Sequence, residues 1–199
     1  MLGDNVFVAF GINYVIEYQV RFFAGVASGL IILGIDPGIA TVGFGVIETV
    51  ASNQKLVRCG VISTSAGRRL AERLLQIHND VLELIDIFKP EAIAIEELFF
   101  NTNLKTAVSV AHGRGVAVLA GEVRGVPMFE YTPLQVKQAV AGYGRADKAQ
   151  VMEMVRRLLN MKEIPRPDDA ADALAIAVCH ARYAGSLLNI EGGSTCSTI

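Results

Sequence analysis

Cysteine is scarce in this chain. Cys59, Cys179 and Cys196 are the only three in 199 residues, far apart and odd in number. That pattern argues against a disulfide framework or a zinc knuckle and fits a reducing cytosol. An excess of charge of one sign is missing too. The formal net charge is −2, so no global signature of nucleic-acid binding exists. Any basic surface must be local, with the acids employed elsewhere. Long apolar runs are also absent. The longest uncharged stretch near the start, Phe22 to Ile35, has 14 residues, against the roughly 20 that cross a bilayer. The start lacks the basic residues of a secretory signal, since Asp4 is the first charge. His78, His112 and His180 show no metal-ligand spacing and read as structural. No internal repeat is visible.

What is present suffices for one globular domain with a full core, with hydrophobic residues at 52%. The expected division is a folded domain over 30–184. Residues 1–29 are expected to be an extension outside the fold, as from an upstream start codon. Residues 185–199 are Gly/Ser-rich and expected to be a flexible tail.

The chain is organised around Ile31-Ile32-Leu33-Gly34-Ile35-Asp36-Pro37-Gly38. So apolar a run predicts a strand buried on both faces, stopped by Pro-Gly just after its one acid. Two more strands are expected, over 39–48 and 55–64, joined by a polar turn at Ser52-Asn53-Gln54. Apolar spacing predicts a helix over 67–88, ended by Lys89-Pro90. Ala92-Ile93-Ala94-Ile95-Glu96 is a short apolar strand, again closed by an acid. Asn101 or Thr102 is a candidate cap for a helix over 103–124, with small residues along one side from Ala107 to Gly121. That side suits either an oligomer interface or close packing on the chain's own sheet. A strand at 126–131, a short helix at 133–140, a helix capped by Asp147 and a last helix over 168–183 complete the order. A meander followed by alternating helix and strand predicts an α/β fold, a mixed five-stranded sheet with helices on both faces.

The acids carry the chemistry. If the strands ending in Asp36 and Glu96 are neighbours, both carboxylates meet at one sheet edge. Asp168-Asp169-Ala170-Ala171-Asp172 opens the last helix. Asp169 and Asp172 project together there, and the pair Asp168 and Asp172 also can. Like charges on one helix face repel, so a cation is the natural reason for the cluster. Four carboxylates on three elements can hold two divalent ions about 4 Å apart, the geometry of in-line phosphodiester hydrolysis. All-oxygen ligands favour Mg²⁺, with Mn²⁺ as a substitute. Lys105, Arg114, Lys137, Arg145 and Lys148 are the candidates for backbone phosphates, Lys148 foremost because it sits in a Gly-flexed loop. Phe99 and Phe100 follow Glu96 closely, and one of them is a candidate to stack on or wedge between bases.

Several stretches together resemble the RuvC family, the bacterial Holliday junction resolvases. They are Ile32-Leu33-Gly34-Ile35-Asp36-Pro37-Gly38 with Gly43-Phe44-Gly45, and Ala94-Ile95-Glu96-Glu97-Leu98-Phe99-Phe100. In register with them are Ala111-His112-Gly113-Arg114-Gly115-Val116-Ala117, Gln135-Val136-Lys137-Gln138-Ala139-Val140, and Asp169-Ala170-Ala171-Asp172-Ala173-Leu174-Ala175-Ile176-Ala177. The resemblance implies a ribonuclease H-like fold, a homodimer, and two Mg²⁺-dependent sites that nick opposite strands of a four-way junction to leave 5′-phosphates. It implies Asp36, Glu96, Asp169 and Asp172 as the catalytic, metal-holding acids. Lys137 and Lys148 fall where the family serves substrate binding and catalysis, and Phe99 where an aromatic contacts bases near the crossover. A cytoplasmic partnership with the RuvA–RuvB branch-migration complex is implied as well. The competing readings are an RNA-processing nuclease of the YqgF type, an actin-like ATPase, and a junction binder without catalysis. The chain is short for the ATPase, and the full set of acids argues against the binder.

Overall fold

The structure, a computed structural model, describes residues 29–50, 53–97 and 104–191. The central apolar run forms β1 (Leu30–Asp36), and it lies in the middle of the sheet. Ile32, Leu33 and Ile35 are at most 1% exposed. Both faces of the strand are covered, which is why its sequence does not alternate.

β2 (Thr41–Val50) and β3 (Asn53–Ser63) follow as antiparallel neighbours, giving the expected meander. Asn53 and Gln54, expected in the turn, pair instead with Val50 and Thr49. An exposed hairpin end tolerates polar residues in the ladder, so the pairing runs further than composition suggests. A bulge beside Val46 and Ile47 breaks the register and leaves Val57 facing outward. β4 (Ala92–Glu96) and β5 (Met128–Tyr131) add in parallel on the other side of β1. The order is β3-β2-β1-β4-β5, the mixed five-stranded sheet that the sequence predicts.

Helices cover both faces. On one side, Ile77, Val81 and Ile85 of α1 (Leu70–Phe88) and Ala117 and Ala120 of α2 (Leu104–Val123) pack with Leu33, Ile35 and Ile95. On the other side, α3 (Pro133–Ala141), α4 (Lys148–Leu158) and α5 (Asp168–Glu191) pack through Val136, Val155 and Leu174 against Ile32 and Ala94. Truncating a fully buried leucine such as Leu174 to alanine costs about 2–5 kcal/mol.

α5 runs on to Glu191, past the Tyr183 expected from sequence. One glycine costs a helix only about 1 kcal/mol, and Leu187 and Leu188 favour continuation, so Gly185 does not end it. On the small-residue side of α2, Gly121 is buried, Ala107, Ala111 and Val118 are half-buried and Gly115 is exposed. Ala117 and Ala120 are buried against the chain's own sheet, and Val108, Leu119 and Val123, on the adjacent face, are 52%, 52% and 53% exposed. Residues 1–28, the turn tip at 51–52, the caps Asn101 and Thr102, and residues 192–199 lie outside the described residues.

Candidate active site

Ile35 is level with Ile95 in the parallel pair β1–β4, so Asp36 and Glu96 leave the sheet side by side. α5 brings the third element. Its first turns cross the β1–β2 edge at backbone distance, and Gly43 makes that possible. A Cβ at Gly43 would stand 2.0 Å from the Asp169 carbonyl oxygen, far inside any allowed contact. The glycine in β2 thereby sets how deep the acidic end of α5 sits.

Asp36, Glu96 and Asp172 line one cavity of about 270 Å³, with Lys137, Lys148, Pro133, Val136 and Val151. The cavity wall is built by two capped helices. Thr132 and Gln135 form a reciprocal cap on α3, which presents Pro133, Val136 and Lys137. Asp147 and Gln150 do the same for α4, which starts at Lys148. Asp147 is thus the cap that the sequence predicts, and it fixes where Lys148 begins.

Lys148 Nζ donates to Asp172 Oδ2 at 2.9 Å and lies 3.4 Å from Asp168 Oδ2. Its pKa is raised, chiefly by the hydrogen bond to Asp172, so it is an ammonium at any ordinary pH. Asp168 is also held by Arg166 at 3.0 Å. Asp169 is not among the cavity-lining residues, yet its charge is near enough to raise the Asp36 pKa.

Asp36 carries the strongest electrostatic signature. Its pKa is pushed up to about 7, first by burial, then by the charges of Asp172, Glu96 and Asp169, with Lys148 opposing. Glu96 is raised as well, by burial and then by Asp172. The site is therefore short of positive charge. Hard oxygen donors around an uncompensated carboxylate suit a divalent ion, and on donor chemistry the residues fit one. Among the described residues, no three such side chains converge on a common point at ligating distance.

The remaining sequence-predicted residues scatter. Lys137 is at the cavity, and Arg145 is exposed in the loop between α3 and α4. Lys105 is in the first turn of α2, with its side chain outside the described set, and Phe99 lies outside the described residues altogether. Arg114 turns inward, with its side chain only 16% exposed. Its Nε donates to the Glu96 carbonyl at 3.3 Å, and its guanidinium pairs with Glu130 at 2.5 Å. Nothing local in the sequence announces that contact. His180 is buried and bonded through Nδ1 to the Tyr131 hydroxyl at 2.8 Å, in keeping with a structural role.

The profile of the family described as crossover junction endodeoxyribonuclease RuvC matches residues 32–180. The chain belongs to the RuvC family. Over 151 residues it is 55% identical to the RuvC of Ruminiclostridium cellulolyticum, covering 76% of this chain and 91% of the relative. It is 58% identical to the RuvC of Rubrobacter xylanophilus, again over 151 residues, with 84% of that relative covered. Among solved structures, T. thermophilus RuvC in complex with a Holliday junction substrate superposes with a TM-score of 0.76 at 44% identity, covering 79% of this chain and 96% of that one. The yeast mitochondrial resolvase Ydc2 shares the fold at a TM-score of 0.62 and 15% identity, covering 85% of each chain. The fold is thus the ribonuclease H-like one of RuvC, and divalent-metal dependence goes with the family. No helix among the described residues is long and apolar enough to cross a membrane.

Proposed function

We propose that this RuvC-family chain is an endodeoxyribonuclease that resolves four-way (Holliday) DNA junctions in recombination and repair. The meeting of Asp36, Glu96 and Asp172 in one cavity supports this reading most directly. Asp36, Glu96, Asp169 and Asp172 would hold two Mg²⁺ ions, with Mn²⁺ as a substitute. Such ions, when bound, ease deprotonation of an attacking water and stabilise charge on the leaving oxygen.

The chain's own residues do the rest. With its pKa near 7, Asp36 is partly protonated around neutral pH, so binding of a cation there is coupled to loss of its proton. Lys148 holds its proton and has Asp172 as its resting partner. It can pass that ammonium to a phosphate oxygen when DNA enters. Lys137 on the cavity wall and Arg145, exposed in the loop between α3 and α4, suit the flanking phosphates. Lys105 and Phe99 are assigned to phosphate and base contact from the sequence alone.

A four-way junction has two-fold symmetry, and a C2 dimer places two such sites to cut opposite strands. The exposed apolar stripe of Val108, Leu119 and Val123 on α2 supports a homodimer through that helix. Paired cuts leaving 5′-phosphates, a cytoplasmic location and work beside the RuvA–RuvB complex complete the proposal. The test offers Mg²⁺ and equal amounts of labelled four-way junction, linear duplex and structured RNA. Selective cutting of the junction is expected, and preferential cutting of the RNA would reject this reading.

A further inference from the structure

We propose that Arg114 is a positioning residue for Glu96, and that it acts by fixing the end of β4 from the α2 side of the sheet. The sequence suggests a phosphate contact for this arginine, but its surroundings suit the other task. A side chain only 16% exposed, already engaged by a main-chain carbonyl and by the carboxylate of the more exposed Glu130, has little left to offer a DNA backbone. One partner is the main-chain carbonyl of Glu96 itself. The other is the carboxylate of Glu130, on the neighbouring strand β5. A planar guanidinium with fixed donor directions suits such a bridge, whereas an ammonium would be a point charge on a flexible stem.

The residue before it doubles the constraint. A Cβ at Gly113 would stand 2.1 Å from the carbonyl oxygen of Gly38, just past Asp36. One corner of α2 therefore touches the ends of both acid-bearing strands, Gly113 against the β1 exit and Arg114 against the β4 exit. On the β5 side the Glu97 amide donates to the Tyr131 carbonyl at 2.9 Å, so the last step of β4 is held from two directions. Loss of the arginine leaves the Glu96 carbonyl and Glu130 without it, and Glu96 loses its fixed exit from the sheet. Small misplacements of a reacting group cost up to about 100-fold in rate.

This inference rests on the nuclease reading, and its test separates the two. Full-length wild type, Arg114→Gln, Arg114→Lys and the charge-balanced pair Arg114→Gln/Glu130→Gln are compared. Single-turnover junction cleavage with Mg²⁺, junction affinity across salt, and amide hydrogen exchange at Glu96 and Glu97 are read on each. Arg114→Gln and the double variant are expected to cut about 10- to 100-fold more slowly, with affinity and its salt dependence unchanged. Arg114→Lys is expected to recover part of the rate. Exchange at Glu97 should quicken by about tenfold or more, since the strand end opens locally. Weaker binding with a salt slope shallower by about one, and an unchanged cleavage step at saturation, would overturn the proposal and restore a phosphate contact. Unchanged exchange would overturn it whatever the cleavage shows. Wild type that cuts nothing would reject the nuclease reading, while the exchange result still decides what Arg114 holds.

Discussion

Replacing Asp36 with asparagine should make the protein more stable at alkaline pH while abolishing cleavage. The folded-state pKa of Asp36 stands near 7 against an ordinary 3.8, with burial as the first cause and Asp172, Glu96 and Asp169 following. A carboxylate raised in this way favours the fold fully below its unfolded pKa. That contribution is lost as pH climbs through the folded value. The window is therefore about pH 4 to pH 7, and within it the wild type should weaken. Each pK unit is worth about 1.4 kcal/mol, so a rise of roughly three units sets an upper bound of about 4 kcal/mol. Asp36 keeps some contact with solvent, which screens part of this, and a measured difference of about 2–4 kcal/mol is expected. The assay is urea unfolding of wild type and Asp36→Asn without divalent ions, at about pH 4 and about pH 8. The two should be close at the acid end, with the variant ahead at the alkaline end. Glu96 is raised too and stays in both proteins, so the variant retains a shallower slope of the same sign. Parallel loss of stability in both proteins would refute the reasoning, because Asp36 would then not be carrying the unfavourable charge.

Further outcomes follow from other contacts. Mg²⁺ at about 100 times its dissociation constant should raise wild-type stability by about 2.7 kcal/mol, read as a higher Tm, and Asp36→Asn should lose most of that gain. Lys148→Ala should barely change the unfolding midpoint, because its ion pairs are between groups 37–54% exposed and such pairs contribute at most about 1 kcal/mol. Its cleavage rate should nonetheless collapse, and a large stability loss with normal cleavage would contradict the assigned role. Gly43→Ala forces a Cβ against the Asp169 carbonyl and should cost about 1–3 kcal/mol by denaturant unfolding, with a loss of cleavage from displacing α5. Tyr131→Phe leaves the buried His180 Nδ1 without its partner and should cost about 1–3 kcal/mol in the same measurement.

Much of the site is legible in the sequence because it lies at interruptions of simple patterns. Asp36 and Glu96 each close an apolar strand, and Asp172 breaks an otherwise small, apolar helix face. Capping chemistry is local, so Asp147 can be read directly, and with it the place where Lys148 starts. What hides is long-range. Arg114 reaches Glu96 from 18 residues away, and nothing in the sequence around it marks that partner. Tyr131 and His180, 49 apart, are equally silent. Asp169 matches the family pattern, yet spacing alone does not show that Asp172 lines the cavity and Asp169 does not. The length of α5 escapes for a different reason. Gly185 and Ser186 have weak helix propensity, but two leucines after them outweigh that over a turn. The bulge in β3 leaves no mark except imperfect alternation.

The most direct test is cleavage of a synthetic four-way junction with Mg²⁺ by wild type, Asp36→Asn and Glu96→Gln, followed by ligation of the products. Wild type should give two symmetric nicks per junction whose ends reseal, and both variants should bind the junction and leave it intact. An uncut junction with wild type, or cutting that survives loss of Asp36 and Glu96, would contradict a carboxylate-centred junction resolvase.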